Sequence, residues 1–393
     1  MIYSTDIVIF GGGIAGLWLL SQLKKQGYHA ILLESNTLGA GQTILSQGII
    51  HGGTKYAIKQ TLTPLAQHIK TMPARWQACL VGQGEVDLTQ TKQLASHQNL
   101  WFPLQFGSQF VGFLASNAMR SRVEKLKPSH YPQIFQTPLF KGHVYSLNEP
   151  VLDVPSLLAC FRQHYAAYIA KIDTEAMQLL VEETGIKKIV THGIEIHAQR
   201  FIFTCGEQNE MFAKKLQADT IKTQCRPLRM LLIKSLPHPL YAHCVDKHFK
   251  PRLTITSYPT DEGYAWYIGG EIAEKGASMS AQDTYDYGLS ELKQLFPWLS
   301  FQNLQWKTLF VNRAEPWQAD GKIPAMPTLT AHRNSLFAWP VKLAYAPLLA
   351  QETIAFLQRD QIKPRFTPEH SLNSLFPVPE ITLPPWQESS GWN

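Results

Sequence analysis

The chain has 393 residues, 45% apolar and 17% charged, a balance of folded globular domains that excludes a disordered chain. Its net charge of +6 is scattered over pairs such as Lys24-Lys25, Lys187-Lys188 and Lys214-Lys215, which argues against a nucleic-acid groove and leaves a mild attraction for small anions. Five cysteines without a C-x-x-C pair (Cys79, Cys160, Cys205, Cys225 and Cys244) read as thiols of a reducing compartment.

The chain opens with "DIVIFGGGIAGLWLLSQLKKQGYHAILLES". Ile7 to Phe10 predicts a buried strand, Leu17, Leu20 and Leu23 recur at helical spacing, and Gly27 ends that helix. Ala30 to Leu33 predicts a second strand, closed by Glu34. Between strand and helix stand Gly11, Gly13 and Gly16 as G-x-G-x-x-G. The first permits a tight turn, the second lets a pyrophosphate approach the backbone, and the third lets helix and strand pack closely. The helix N-terminus, at Ile14 and Ala15, offers N–H groups to phosphate. Glu34 lies 18 residues after Gly16, where an acid accepts ribose hydroxyls and disfavours the 2′-phosphate of NADP. The alternative is a glycine-rich turn with no nucleotide. The apolar run from Ile7 to Leu20 is broken by glycines and too short to span a bilayer. A cytoplasmic location is expected, with peripheral contact at the inner membrane left open.

After Glu34 the chain departs from regular βα repeats. "SNTLGAGQTILSQGIIHGGTKYA" is long and rich in glycine and serine, and a proline- and aromatic-rich stretch follows. "IKKIVTHGIEIHAQRFIFTCG" predicts antiparallel strands leading into a buried one. With "VLDVPSLLACF", "YAWYIGGE" and "WKTLFVNRAEPWQADGKIPAMP", this order resembles the FAD-dependent oxidoreductases of the D-amino-acid oxidase superfamily. In motif the chain is most similar to the glycerol-3-phosphate dehydrogenase and L-2-hydroxyglutarate oxidase branches.

The resemblance implies an α/β, overall α+β, fold: a Rossmann-like FAD-binding domain interleaved with an antiparallel-sheet substrate domain. The FAD domain is expected over 1–85, 150–222 and 320–365, the substrate domain over 86–149 and 223–319, and an extended tail over 366–393. The implied FAD contacts begin with Gly11, Gly13, Ile14, Ala15, Gly16, Glu34 and Ser35. They continue through Gln42, Thr43, Ser46, Gln47 and Gly48, and then Met177, Thr204, Cys205 and Gly206. Lys342 and Leu343 close the set. No metal site is expected, because the spacing of His238, His243, Cys244 and His248 in proline-rich loop sequence fits no standard zinc pattern.

His51, Arg313 and Lys342 are the candidate catalytic residues, and Lys55, Tyr56 and Tyr267 the candidate substrate contacts. Imidazole titrates near working pH, so His51 is a candidate base; it reads equally as a structural histidine bonded in a tight turn. Arg313 offers a fork for carboxylate or phosphate, or a surface ion pair with Glu315 or Asp320. Lys342 precedes a helix-like run and is either a cation for a reduced flavin or a solvated cap. Where glycines are usual, this chain has Trp339, Pro340 and Val341. The expected activity is hydride removal from the CH–OH carbon of a small anionic substrate, a 2-hydroxy acid or phosphorylated polyol. Oxygen, a quinone or another carrier serves as electron acceptor. CH–NH oxidation and a non-catalytic flavin-binding partner are the alternatives.

Overall fold

The computed structural model describes residues 1–52, 64–103, 123–245, 251–368 and 370–393. Among these, two eight-stranded sheets carry the fold. β1 (Ile2–Phe10) is buried from Thr5 onward, as a continuous apolar run in a parallel sheet must be. It starts earlier than the apolar run suggests, because Ile2 to Thr5 pair with Glu195 to Ala198. β2 (Ala30–Glu34) and strand Ile194–Phe203 flank β1, both parallel to it. The sheet continues to Ile169–Lys171 on one side and to Ser335–Trp339 and Thr328–His332 on the other. The antiparallel pair anticipated in "IKKIVTHGIEIHAQRFIF" is present as Gly185–Thr191 against Ile194–Phe203.

α1 (Ile14–Lys25) is buried over its first ten residues because it packs between this sheet and helix Ala346–Arg359. Trp18 sets its ring 4.6 Å from Trp76 and 6.0 Å from Phe161. Gln26 caps the helix, and Gly27 turns the chain at φ +85°. Asp153 caps helix Val154–Tyr165 by accepting from Ser156 N at 3.0 Å, with Pro155 in the first turn.

The second sheet runs Trp306–Pro316, Thr223–Leu236, Gly263–Gly269, Pro251–Thr260, Ala242–Val245, Gln98–Pro103, Gly142–Leu147, Val123–Lys125. It is antiparallel except where Ala242–Val245 meets Gln98–Pro103. Its strands come from 98–147 and 223–316, and those of the first sheet from 2–34, 169–203 and 328–339. The segment holding His243 and Cys244 is thus a sheet strand and not a loop. Strand partners on both sides prevail over the prolines at its flank.

The C-terminal segment crosses both sheets. Leu38 pairs with Ile381, Trp386 stacks on Tyr258 at 3.4 Å, and Asn393 exchanges both backbone bonds with Trp306. None of the described helices is long and apolar enough to cross a membrane.

Candidate functional site

A single cavity of about 600 Å³ runs from the ends of β1 and β2 to the face of the second sheet. Glycines shape its first part. Gly11 turns at φ +102°, and a Cβ there would meet Thr204 O at 2.8 Å. A Cβ on Gly16 would lie 2.1 Å from Gly11 O, so this glycine sets the helix-to-strand contact and does not itself line the cavity. Gly13 caps α1 with no side-chain hydrogen bond, which leaves the dipole end of the helix to a ligand. Ile14 N donates to Thr43 Oγ1 at 3.1 Å. Glu34 closes this end: its Oε2 accepts from Gly12 N at 2.6 Å and its Oε1 from Asn36 N at 2.8 Å.

The wall opposite is the turn after strand Ile194–Phe203. Thr204 Oγ1 donates to Phe10 O at 2.8 Å, and Cys205 N donates to Asn209 Oδ1 at 2.9 Å. Burial, with the Glu34 charge behind it, pushes the Cys205 thiol up and away from reactivity. Gly206 follows at φ +58°. Gln47 donates to Thr254 O at 3.1 Å and Tyr267 O at 2.9 Å, which ties this wall to the second sheet.

The far part collects charge. Arg313, on strand Trp306–Pro316, stands opposite Arg226 in register and lines the cavity. Burial and then the Arg226 charge disfavour its cation. Lys342 also lines the cavity, with Nζ 5.5 Å from the Tyr345 ring centroid, and leads into helix Ala346–Arg359. Val341 before it sits at φ +62°, and Lys342 N bonds Pro340 O at 2.6 Å. The valine thus holds a left-handed conformation in a tight turn that usually demands glycine.

His51 lines the cavity too, and Glu149 stands behind it. Ile49 forms an antiparallel bridge with Val151, so two residues further on His51 falls opposite Glu149. Its Nδ1 is 3.2 Å from Glu149 Oε2, and its ring stacks on His243 at 5.8 Å.

Most residues expected at the site are brought together here. Gly11, Gly13, Ile14, Ala15, Glu34, Ser35, Gln42 and Thr43 line one part. Ser46, Gln47, Gly48, His51, Thr204, Cys205, Gly206, Arg313, Lys342 and Leu343 line the rest. Met177 does not: it is buried in the core beneath β2, and Ile172 and Thr174 reach the cavity from the same stretch. Nor does Tyr267, which is fully buried and donates its hydroxyl to Leu45 O at 2.8 Å. Burial pushes that phenol far up, so it ties the second sheet to the segment after β2 as a neutral donor. Lys55 and Tyr56 lie outside the described residues. Glu149, His243, Thr254 and Trp339 were not anticipated as site residues; only the strand register and the fold bring them in.

Three buried polar atoms on these walls lack a hydrogen-bond partner among the described residues: Ser46 Oγ, Trp339 Nε1 and Arg313 Nε. A second cavity of about 650 Å³ opens between Lys171–Glu175 and Leu375–Pro377 and shares Ser35, Ile172 and Thr174 with the first, but none of the turn glycines lines it.

The family model for FAD dependent oxidoreductases matches residues 6–319. The chain belongs to that family. This FAD-dependent oxidoreductase is 40% identical over 387 residues to a probable FAD-dependent oxidoreductase of Pseudomonas aeruginosa, covering 98% of each chain. It is similar to the crystal structure of the FAD dependent oxidoreductase from that organism, with a TM-score of 0.85 at 36% identity, covering 98% of each. It shares its fold with glycerophosphate oxidase of Mycoplasma pneumoniae, a structure with FAD bound (TM-score 0.64, 13% identity, 94% of this chain and 97% of that one). Glycine oxidase of Geobacillus kaustophilus has the same fold (TM-score 0.62, 14% identity, 97% of this chain and 100% of that one). FAD is the cofactor, and the glycine turn and Glu34 fit it.

Proposed function

We propose that this oxidoreductase oxidises the CH–OH group of a small anion, a 2-hydroxy acid or a phosphorylated polyol. The observation that carries the reading is that a half-buried Arg313 and a carboxylate-backed His51 line one cavity. Arg313 and Lys342 line the cavity and bind the anionic end; a guanidinium is a fork for carboxylate or phosphate. When bound, FAD supplies the hydride acceptor. A hydroxyl must also lose its proton, and a neutral amine need not do so before hydride leaves. An imidazole held by a carboxylate serves the first need. His51 takes the hydroxyl proton on a ring nitrogen, and Leu228, Met230 and Val311 on the cavity wall exclude water. The glycerophosphate and glycine oxidases that share the fold act on hydroxyl and amino compounds respectively, so the fold alone does not choose between them.

The test is anaerobic bleaching of the flavin by matched pairs: each 2-hydroxy acid beside its amino acid, and phosphorylated polyols beside their unphosphorylated parents. Bleaching by anionic hydroxy compounds is expected. Bleaching confined to amino compounds overturns the reading, and failure of every compound to bleach a protein that holds FAD favours a non-catalytic flavin-binding role.

A further inference from the structure

The side chains around His51 form a set that the hydride chemistry does not itself require. Glu149 is 3% exposed and does not line the cavity. Its Oε1 accepts from Gly52 N at 2.8 Å and its Oε2 lies 3.2 Å from His51 Nδ1. His243 is 8% exposed, lines the cavity, and holds its Nδ1 2.9 Å from Thr254 Oγ1. The two imidazoles stack with 28° between their planes.

We propose that Glu149 is a positioning residue that fixes His51 as the base with Nε2 as its proton-accepting atom. The inference rests on the reading of His51 given above and adds the atom and the group that controls it. A carboxylate only accepts hydrogen bonds, so Nδ1 of the neutral ring must carry its proton toward Glu149. The lone pair then lies on Nε2. When the hydroxyl proton moves to Nε2, the electron pair of the O–H bond stays on oxygen and the ring becomes an imidazolium. The buried carboxylate stabilises that cation, as an acid behind a catalytic imidazole does. His243, stacked on the same ring, opposes a second added proton, because two adjacent imidazolium rings repel. Glu34, Glu207, Glu274, Arg313 and Lys342 are the other charged groups among the described residues that line the cavity.

A metal centre is the competing reading, since donor atoms of His51, Glu149 and His243 all lie within 4.8 Å of one another. The rings stand 5.8 Å apart with 28° between their planes, and His243 Nδ1 is already held by Thr254 Oγ1 at 2.9 Å, so metal analysis separates the two readings.

The experiment is two-bond ¹H–¹⁵N correlation on ¹⁵N-histidine-labelled, FAD-loaded protein across a pH series, with His51 assigned by its loss in His51→Asn. The expected result is an Nδ1–H tautomer for the neutral ring. In Glu149→Gln, its protonation curve should move toward acid, as loss of a neighbouring negative charge requires. An Nε2–H tautomer, or a curve unmoved in Glu149→Gln, overturns the proposal. The wild-type tautomer needs no variant, so a poorly folding Glu149→Gln does not remove the test. Metal analysis of the same sample adds one outcome: a stoichiometric ion lost in His243→Ala replaces the base by a metal centre. These signals do not depend on which substrate bleaches the flavin, so failure here is distinct from failure of the hydroxyl reading.

Discussion

At the scale of single residues, the proposed anion site centres on Arg313, which lines the cavity and stands beside Arg226 in register. Arg313→Ala should therefore lower kcat/KM about 10- to 100-fold, mainly through KM, the size of a hydrogen bond to a charged group. The visible spectrum should keep its flavin bands; loss of FAD in that variant would make Arg313 a folding or cofactor residue. Glu34 works at the other end, with both carboxylate oxygens held by backbone N–H groups of Gly12 and Asn36. Glu34→Arg should yield colourless protein, and a variant that keeps its flavin would contradict the placement of the ribose. Val341 is a third case. A β-branched residue at φ +62° costs about 1–2 kcal/mol, so Val341→Gly relieves strain that offsets the added freedom of the unfolded chain. Thermal melting should show Val341→Gly unchanged or slightly stabilised, where an ordinary valine-to-glycine change lowers Tm.

At the scale of elements, the first βαβ unit was legible in the sequence because its signals are local. Glycine spacing, a strand's apolar run and helical leucines all lie within thirty-odd residues. Glu149 and His243 were not legible, because His51 meets them through the bridge of Ile49 with Val151 and through a strand whose sequence reads as loop. Tyr267 and Met177 show the converse: residue types that suit a site were drawn into the interior by packing. The βαβ unit also carries a pH signature. Burial first, and then the Lys24 charge, push the His29 ring down to about 4, with Asp6 opposing. The unfolded chain binds that proton at about 6.5, so it holds more protons than the native state between those values. Stability should fall as pH drops from about 6.5 to about 4, and His29→Asn should flatten that limb of a pH–denaturation series.

At the scale of the whole molecule, the segment after β2 is bonded to the second sheet through Gln47 and Leu45, and the C-terminal segment reaches both sheets, bonding Lys171 N through Pro377 O and stacking Trp386 on Tyr258. Trp386 is 3% exposed, and Lys307 pairs with Glu388 at 2.7 Å. Leu38, which the segment holds, packs where a Cβ on Gly12 would stand, at 2.6 Å. Trp386→Ala should cost about 3–5 kcal/mol, the range for removing a buried large aromatic, and should weaken FAD retention through Leu38. Melting with and without added FAD reads both effects; a melt equal to wild type would mean that the segment rests on the body without holding it. The interleaving of the chain between sheets was foreseen from the order of motifs, and the grip of the last residues was not, because no local pattern marks a segment that gains its structure from surfaces far away in sequence.

The central claim is that hydride removal here is coupled to a proton taken by His51. The measurement that tests it most directly is the anaerobic rate of flavin reduction by a bleaching hydroxy substrate, followed across pH in the wild-type protein and in His51→Asn. The account predicts a wild-type rate that rises with pH along one ionisation, and a His51→Asn rate at least about 100-fold lower with that ionisation gone. Equal rates in the two proteins, or an unchanged pH profile in the variant, would contradict it.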